Sequence, residues 1–398
     1  MAELRKLIGH TFGSRLIQSA TAFILSILIA RWLGAEGKGL AALLVLNLSF
    51  SVMVQNLVGG GALVHLLPKY GWPVLKVFSL AWSILASALT GIIIYFWSNP
   101  ILPFWALFLL GVLLNLSTLY QHVLLGFNKV KNANRMLLWQ SLGLFFGVLI
   151  WYLIQGGFSL KAYAILLGIG YGVGLISGFI YVGKNYPAKA FQWKAFQDTL
   201  KLGLFSQAAN IFQLGNYRLS YYFLEAYVNT ATVGVYSLAV NLAEVLWLPA
   251  RSMATVLYAK VSNQPELDQE NIKTTLSLTR YSVLITSFGV LVLCMIPDSF
   301  HQWVFGEGFQ GIQKTIWWLS PGIMALALSN NLSHYLNGQG KILQNTYASG
   351  LGLLATILGC TLLIPRFGLV GAAQTASLSY LTSCIFLMLR HRNLIKTD

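Results

Sequence analysis

The chain has 398 residues, 56% of them hydrophobic and 9% charged, with a mean hydropathy of +0.67 and a net charge of +15. Soluble domains carry about 25% charged residues, so this composition belongs in a bilayer. It excludes a nucleic-acid partner, because the basic residues lie between hydrophobic runs and not on a polar fold.

Twelve Trp, eighteen Tyr and twenty-three Phe suit a membrane protein, where rings collect at the interfaces. The segment Met1–Lys6 is polar and leads into a long apolar run without a small-residue cleavage site, which reads as a retained N-terminus. Runs of about twenty apolar residues cross a bilayer as helices. Six are expected near 11–31, 38–64, 75–97, 101–124, 134–155 and 160–182. Six more fall near 202–225, 231–257, 277–297, 313–336, 345–364 and 369–389. With the N-terminus in the cytoplasm, nineteen of the 26 Lys and Arg fall in inner segments and five in outer ones, leaving Arg15 and Arg218 within spans. That bias places both termini in the cytoplasm.

The two sets of spans resemble each other. His122-x-x-x-Gly126-Phe127-Asn128-Lys129 matches His334-x-x-x-Gly338-Gln339-Gly340-Lys341 at an offset of 212. Leu142-Gly143-Leu144 matches Leu351-Gly352-Leu353, and Phe158…Leu160 matches Phe367…Leu369, both at 209. A weaker match joins Gly39-Leu40-Ala41-Ala42 to Gly234-Val235-Tyr236-Ser237 at 195. Six spans per half give both repeats the same orientation, as in transporters whose halves rock about a central site. The expected fold is therefore all-α and polytopic: about twelve transmembrane helices in two six-helix bundles related by a parallel pseudo-two-fold repeat. Its parts are 1–183, a cytoplasmic linker at 184–201 rich in lysine and carrying Pro187, and 202–398.

Few motifs demand chemistry. Gly59-Gly60-Gly61 lacks the Lys-Ser/Thr of a phosphate loop and reads as a kink. Gly170, Gly174 and Gly178 form a small-residue stripe for close helix packing. Cys294, Cys360 and Cys384 lie in apolar runs, at no metal-ligand or disulfide spacing. His65, His122 and His334 sit near span ends, and the repeat of the last two points to structure.

Charges inside spans mark an ion or substrate path by default. Arg15 lies one turn inside the first span and fits snorkelling or substrate binding equally. Arg218 lies deeper, among Tyr217, Tyr221 and Tyr222, and reads as a cavity-facing cation. Arg251, after Trp247-Leu248-Pro249, fits either role. Glu244 is the acid inside a span, suited to pairing with an arginine or carrying a proton, and Glu225 sits at the outer interface. Gln18, Asn47, Gln55, Asn56, Gln207, Asn210, Gln213 and Asn216 line the first, second and seventh spans. Gln207, Asn210 and Gln213, spaced by three, are expected on one helical face lining a wet cavity.

Ala30-Arg31-Trp32-Leu33-Gly34…Gly39-Leu40 resembles the opening of polysaccharide (O-antigen) flippases. Tyr217-Arg218-Leu219-Ser220-Tyr221 and the run from Val233 to Ala239 are similar to their seventh and eighth spans. Phe305-Gly306-Glu307-Gly308-Phe309, Leu336-Asn337-Gly338-Gln339-Gly340 and the run from Leu363 to Ala373 complete a pattern covering nearly the whole chain. These flippases belong to the multidrug/oligosaccharidyl-lipid/polysaccharide exporter superfamily, with the lipid II flippases and the MATE exporters.

The resemblance implies a non-enzymatic, cofactor-free carrier in the bacterial inner membrane. It would move a polyprenyl-diphosphate-linked glycan from the inner to the outer leaflet by alternating access, beside polymerase or glycosyltransferase partners, with H⁺ or Na⁺ as coupling ion. Arginine matches phosphate bidentately, and Gln, Asn and Tyr bind sugar hydroxyls. The expected substrate residues are Arg15, Arg218, Arg251, Gln55, Asn56, Asn210, Gln213 and Tyr221, with Glu244 as coupling group. Members often carry Asp where this chain has Ser220, so Arg218 is expected to lack a neighbouring counter-charge. Two rivals are a cation-coupled multidrug exporter of the MATE type and a membrane enzyme acting on lipid-linked glycans. The first needs more intramembrane acid than eleven Asp and Glu supply, the second an acidic cluster or a catalytic loop.

Overall fold

The structure, a computed structural model, describes residues 2–97, 102–183, 189–263 and 268–390. Among these residues there are fourteen helices and no strand. The first half comprises α1 (Ala2–Gly59), α2 (Gly61–Tyr70), α3 (Trp72–Trp97), α4 (Phe104–Gly126), α5 (Val130–Gln155) and α6 (Leu160–Val182). Then come α7 (Trp193–Tyr227), α8 (Thr230–Leu246), α9 (Leu248–Asn263), α10 (Asp268–Met295) and α11 (Asp298–Phe305). The last three are α12 (Ile312–Gly338), α13 (Ile342–Leu362) and α14 (Ile364–Arg390).

Every expected span lies on a helix, but the breaks between spans are sharper than the loops expected. The 58 residues of α1 would run about 87 Å at 1.5 Å per residue, far beyond a core about 30 Å thick. The helix is instead two spans joined at Gly34, whose φ of 68° suits a residue without Cβ. The glycine run at 59–61 ends α1 and starts α2, so it is the kink its composition suggests. The expected span 231–257 is α8 and α9, bent by 50° ahead of Pro249. Among the described residues seven helices are long and apolar enough to cross a membrane, and this bent pair makes an eighth candidate. Expected spans on α7, α12 and α13 fall outside that set. On α7 the cause is plain: Gln207, Asn210, Gln213, Asn216 and Arg218 dilute its apolar character.

The chain divides into two compact units, Met1–Leu33 with Leu40–Ala208, and Gly34–Gly39 with Ala209–Asp398. In the first, α4 packs against α3 and α6, and α5 against α6. Methyl groups at Gly170, Gly174 and Gly178 would press on Leu144, Gln140, Ser117, Met136 and Tyr120, so the small-residue stripe lets α6 close on α4 and α5. One core of this unit gathers Leu44, Leu107, Leu110, Val148 and Leu167, another Leu63, Trp72, Leu119, Leu124 and Met136. In the second unit α14 packs on α12 and α13, and α9 and α10 pack on α12, around Leu257, Val261, Tyr335 and Leu336.

The segment expected as a linker, 184–201, is part helix. Residues 184–188, with Lys184 and Pro187, lie outside the described residues, as do Arg392 and Lys396. From Trp193 the chain is already α7, and its first turns dock on the first unit. Lys69 bridges Asp198 at 3.1 Å, the Lys189 amide donates to the Pro73 carbonyl at 2.8 Å, and Phe78 meets Phe196 edge-on at 5.6 Å.

The repeat at offset 212 extends to backbone geometry. Phe127 and Gln339 take φ, ψ of −82°, 6° and −78°, 1°, Asn128 and Gly340 turn left-handed at φ 56° and 74°, and Lys129 and Lys341 follow at −86°, 52° and −84°, 44°. In both turns the lysine amide returns to the carbonyl five residues back, Leu124 or Leu336, at 2.8 Å. The offset of 195 also has a physical counterpart inside the second unit. A Cβ on Gly39 would collide with the Thr230 carbonyl, and a Cβ on Gly234 with the Ala35 carbonyl. Residues 35 and 39 plus 195 are 230 and 234, so the contact is reciprocal under the repeat.

Large apolar side chains cover the outside: Phe96 is 82% exposed, Leu153 80% and Phe288 72%. Water does not tolerate so continuous an apolar surface, and lipid does. The protein is an all-α polytopic membrane fold.

Candidate functional site

The second unit brings α7, α8 and α14 together around Arg218. Arg218 lies in the C-terminal half of α7, with Tyr217 before it and Tyr221 one turn on. Its Nη2 donates to Glu244 Oε1 at 2.8 Å, and its Nη1 to the Tyr221 hydroxyl at 2.7 Å, with the guanidinium 5.4 Å from the Tyr221 ring centre. Tyr221 is buried and meets Tyr236 of α8 edge-on at 5.3 Å. Beside the pair, Tyr217, Trp247 and Tyr380 form a three-ring cluster with centroids 5.4–6.0 Å apart. The Gln213 amide donates to the Tyr217 hydroxyl at 3.2 Å. The Arg218 and Glu244 side chains remain 27% and 36% accessible, so the pair is half-buried, not sealed.

This geometry overturns one expectation. Ser220 does not leave Arg218 without a counter-charge, because Glu244 supplies it from α8. Residues two apart on a helix point about 200° apart and do not face each other. Ser220 is 1% exposed and turns toward Cys360 of α13 at 3.6 Å. An acid there would not reach Arg218.

Arg251 is exposed on α9, one turn beyond Trp247, whose carbonyl accepts its amide at 2.8 Å. Its charge acts on Tyr217 and on His334 of α12, so Arg218 and Arg251 both bear on the aromatic cluster. The polar stripe on α7 is not one face. Each three-residue step falls about 60° short of a full turn, so Gln213 lies about 120° from Gln207. Gln207 is accordingly buried, while Asn210 and Gln213 are exposed.

Three expected residues belong to the first unit. Arg15 is exposed on α1. Gln55 is fully buried, with neither amide atom bonded, and Asn56 is half-buried with its Oδ1 unpartnered. Among the described residues no cluster of His, Cys, Asp and Glu could hold a metal ion. Sequence reading missed Trp247 and Tyr380 as members of the site. Trp247 lies one turn from Glu244 and was within reach of that reasoning. Tyr380 arrives from α14 with no local signal.

Comparison with solved structures bears on the fold. The chain superposes on the lipid II flippase MurJ in an inward closed conformation with a TM-score of 0.78, covering 97% of this chain and 87% of that one at 15% identity. The chain shares that fold. An inward-facing multidrug resistance MATE family transporter of the MOP superfamily gives 0.68 over 96% of both chains at 14% identity. A mutant of the Vibrio cholerae MATE transporter VcmN gives 0.67 over 100% of this chain and 99% of that one at 13%. Among curated proteins, an uncharacterised membrane protein of Methanocaldococcus jannaschii is 27% identical over 223 residues, 53% of this chain and 43% of its own length. The chain thus spans less than half the length of that relative. No protein-family model matches.

Proposed function

We propose that the protein flips a polyprenyl-diphosphate-linked oligosaccharide from the cytoplasmic to the outer leaflet of a bacterial cytoplasmic membrane, with both termini cytoplasmic. The observation that carries this reading is the half-buried Arg218, paired with Glu244 and set among Tyr217, Tyr221, Trp247 and Tyr380. A diphosphate asks for a desolvated guanidinium, and a sugar asks for hydroxyl-bonding and aromatic surface. Arg251 supplies a second cation near the same rings, and Asn210 and Gln213 are exposed donors on the same helix. Arg15, Gln55 and Asn56, on the first unit, are proposed as further substrate residues. The fold shared with a lipid II flippase supports the reading without identifying the glycan.

The test is transport of a fluorescent polyprenyl-diphosphate sugar in vesicles holding the purified protein. A charge-assisted hydrogen bond contributes about 1.5–3 kcal/mol, so Arg218→Ala is expected to slow flipping about 10- to 100-fold. Arg15→Ala run alongside reports the first unit's share. Full transport by Arg218→Ala would remove that residue from the path. Efflux of organic cations in place of lipid flipping would hand the chain to the multidrug reading.

A further inference from the structure

We propose that Glu244 is the resident counter-ion of an anion receptor: a ligand diphosphate displaces it from Arg218, and the freed carboxylate takes up one proton. This inference rests on the flippase reading and adds how binding is coupled.

Both ends of the Arg218 guanidinium are engaged, one by the neutral Tyr221 hydroxyl and the other by the Glu244 carboxylate. A phosphate that binds across Nη1 and Nη2 competes with the Glu244 oxygen for Nη2. Exchange does not require the core to open, since both side chains are about one-third accessible. It does require somewhere for the carboxyl to go. Three residues further along, the Trp247 indole N–H is buried and has no partner, and the proposal gives it to the displaced carboxyl.

Displacement leaves two anions, carboxylate and phosphate, competing for one guanidinium in a site of low dielectric. Like charges at such range cannot both stay ionised cheaply. A diphosphate esterified by lipid at one end and sugar at the other has only strongly acidic oxygens, so the carboxyl, the weaker acid, takes the proton. The balance is simple: –COO⁻ gains one H⁺ from solvent and becomes –COOH, no covalent bond to the ligand forms, and the phosphate inherits the cation. The ionisable neighbours do not undo this. From α7 they are Arg218, Tyr217 and Tyr221, and from α14 Tyr380. Arg251 of α9 and His334 of α12 lie one step further out and act on each other; Lys314 and Tyr335 are the other ionisable groups of α12. α10 meets α8 through Gly289 against Leu246, and residues 285–293 bring no ionisable group. The cation at the centre is thus shared between one carboxylate and one incoming anion.

The experiment is calorimetric titration of the purified protein in detergent with a farnesyl-diphosphate-linked N-acetylglucosamine, whose esterified phosphates do not titrate near neutral pH, in two buffers of different ionisation enthalpy. The intact protein is expected to take up about one proton per ligand bound. Glu244→Gln is expected to bind about tenfold tighter, with no proton uptake and no pH dependence, because the competing anion is gone. Arg218→Gln is expected to lose binding. Proton uptake that persists in Glu244→Gln, or affinity that does not rise, overturns the proposal. Binding by the intact protein without proton uptake overturns it too, while leaving the flippase reading standing; no binding of the diphosphate sinks both. Should Glu244→Gln fail to fold by size exclusion, Glu244→Asp replaces it. That variant retracts the carboxylate by one methylene and is expected to bind tighter while still taking up the proton; unchanged affinity overturns the exchange.

Discussion

At the scale of residues, the ion pair between Arg218 and Glu244 separates what spacing reveals from what it cannot. Arg218 and Tyr221 are one turn apart on α7, so their meeting was legible in the sequence. Glu244 was legible as an intramembrane acid and as a partner for an arginine, but not which one, because that choice is made by how α8 lies along α7. The same limit explains Ser220. Its neighbour in sequence is Arg218, but its neighbour in space is Cys360 on α13. Ser220→Asp is accordingly expected to bury a carboxylate away from any cation, at a cost of about 2–4 kcal/mol. Thermal unfolding in detergent reads this as a clear drop in Tm, with diphosphate binding by the surviving folded fraction unchanged. A variant as stable as the parent would show that the site at 220 does reach a cation. Arg218→Lys complements it: lysine keeps the charge but loses the planar fork, so flipping is expected to fall about tenfold.

At the scale of elements, the two turns ending α4 and α12 share their backbone path, and each uses a residue that tolerates a left-handed conformation, Asn128 in one and Gly340 in the other. A β-branched side chain costs about 1–3 kcal/mol there, so Gly340→Val and Asn128→Val are expected to destabilise comparably. Unequal losses in thermal unfolding would mean that the shared geometry is not held by shared strain. The segment around α11 offers a pH test. Asp298 accepts the amides of Gly311 at 3.2 Å and Gln313 at 2.9 Å and so caps the start of α12. His301, one turn on, is 2% exposed with its Nε2 unbonded, and burial holds its pKa below the ordinary value of 6.5 against the opposing pull of Asp298. The folded ring resists a proton that the unfolded chain accepts. Its contribution to stability is therefore present above about pH 6.5 and is lost as pH falls toward the lower folded value. His301→Gln is expected to flatten the stability profile just below about pH 6.5; an unchanged slope would place that titration elsewhere.

At the scale of the whole molecule, apolar runs placed every expected span on a helix, because a bilayer demands about twenty apolar residues whatever the tertiary context. The breaks were harder to read. Nothing local distinguishes Gly34, which joins two spans without a loop, from the other glycines of α1, since only packing fixes a φ of 68°. The weak match of Gly39 to Gly234 gained meaning only when each glycine was found against the other's turn. Orientation, by contrast, is carried by charge alone: nineteen basic residues on one side against five on the other, read from the sequence. Moving one charge across 100 mV costs about 2.3 kcal/mol, so the bias acts on the whole chain at once. On that reading the start of α10 is expected on the cytoplasmic side and the segment between α11 and α12 outside. A membrane-impermeant maleimide added to intact cells is expected to label Glu307→Cys and not Gln269→Cys, with Cys294, Cys360 and Cys384 replaced by serine. After the cells are opened, both positions should label. Labelling of Gln269→Cys alone in intact cells would invert the expected orientation, and with it the direction of the proposed transport.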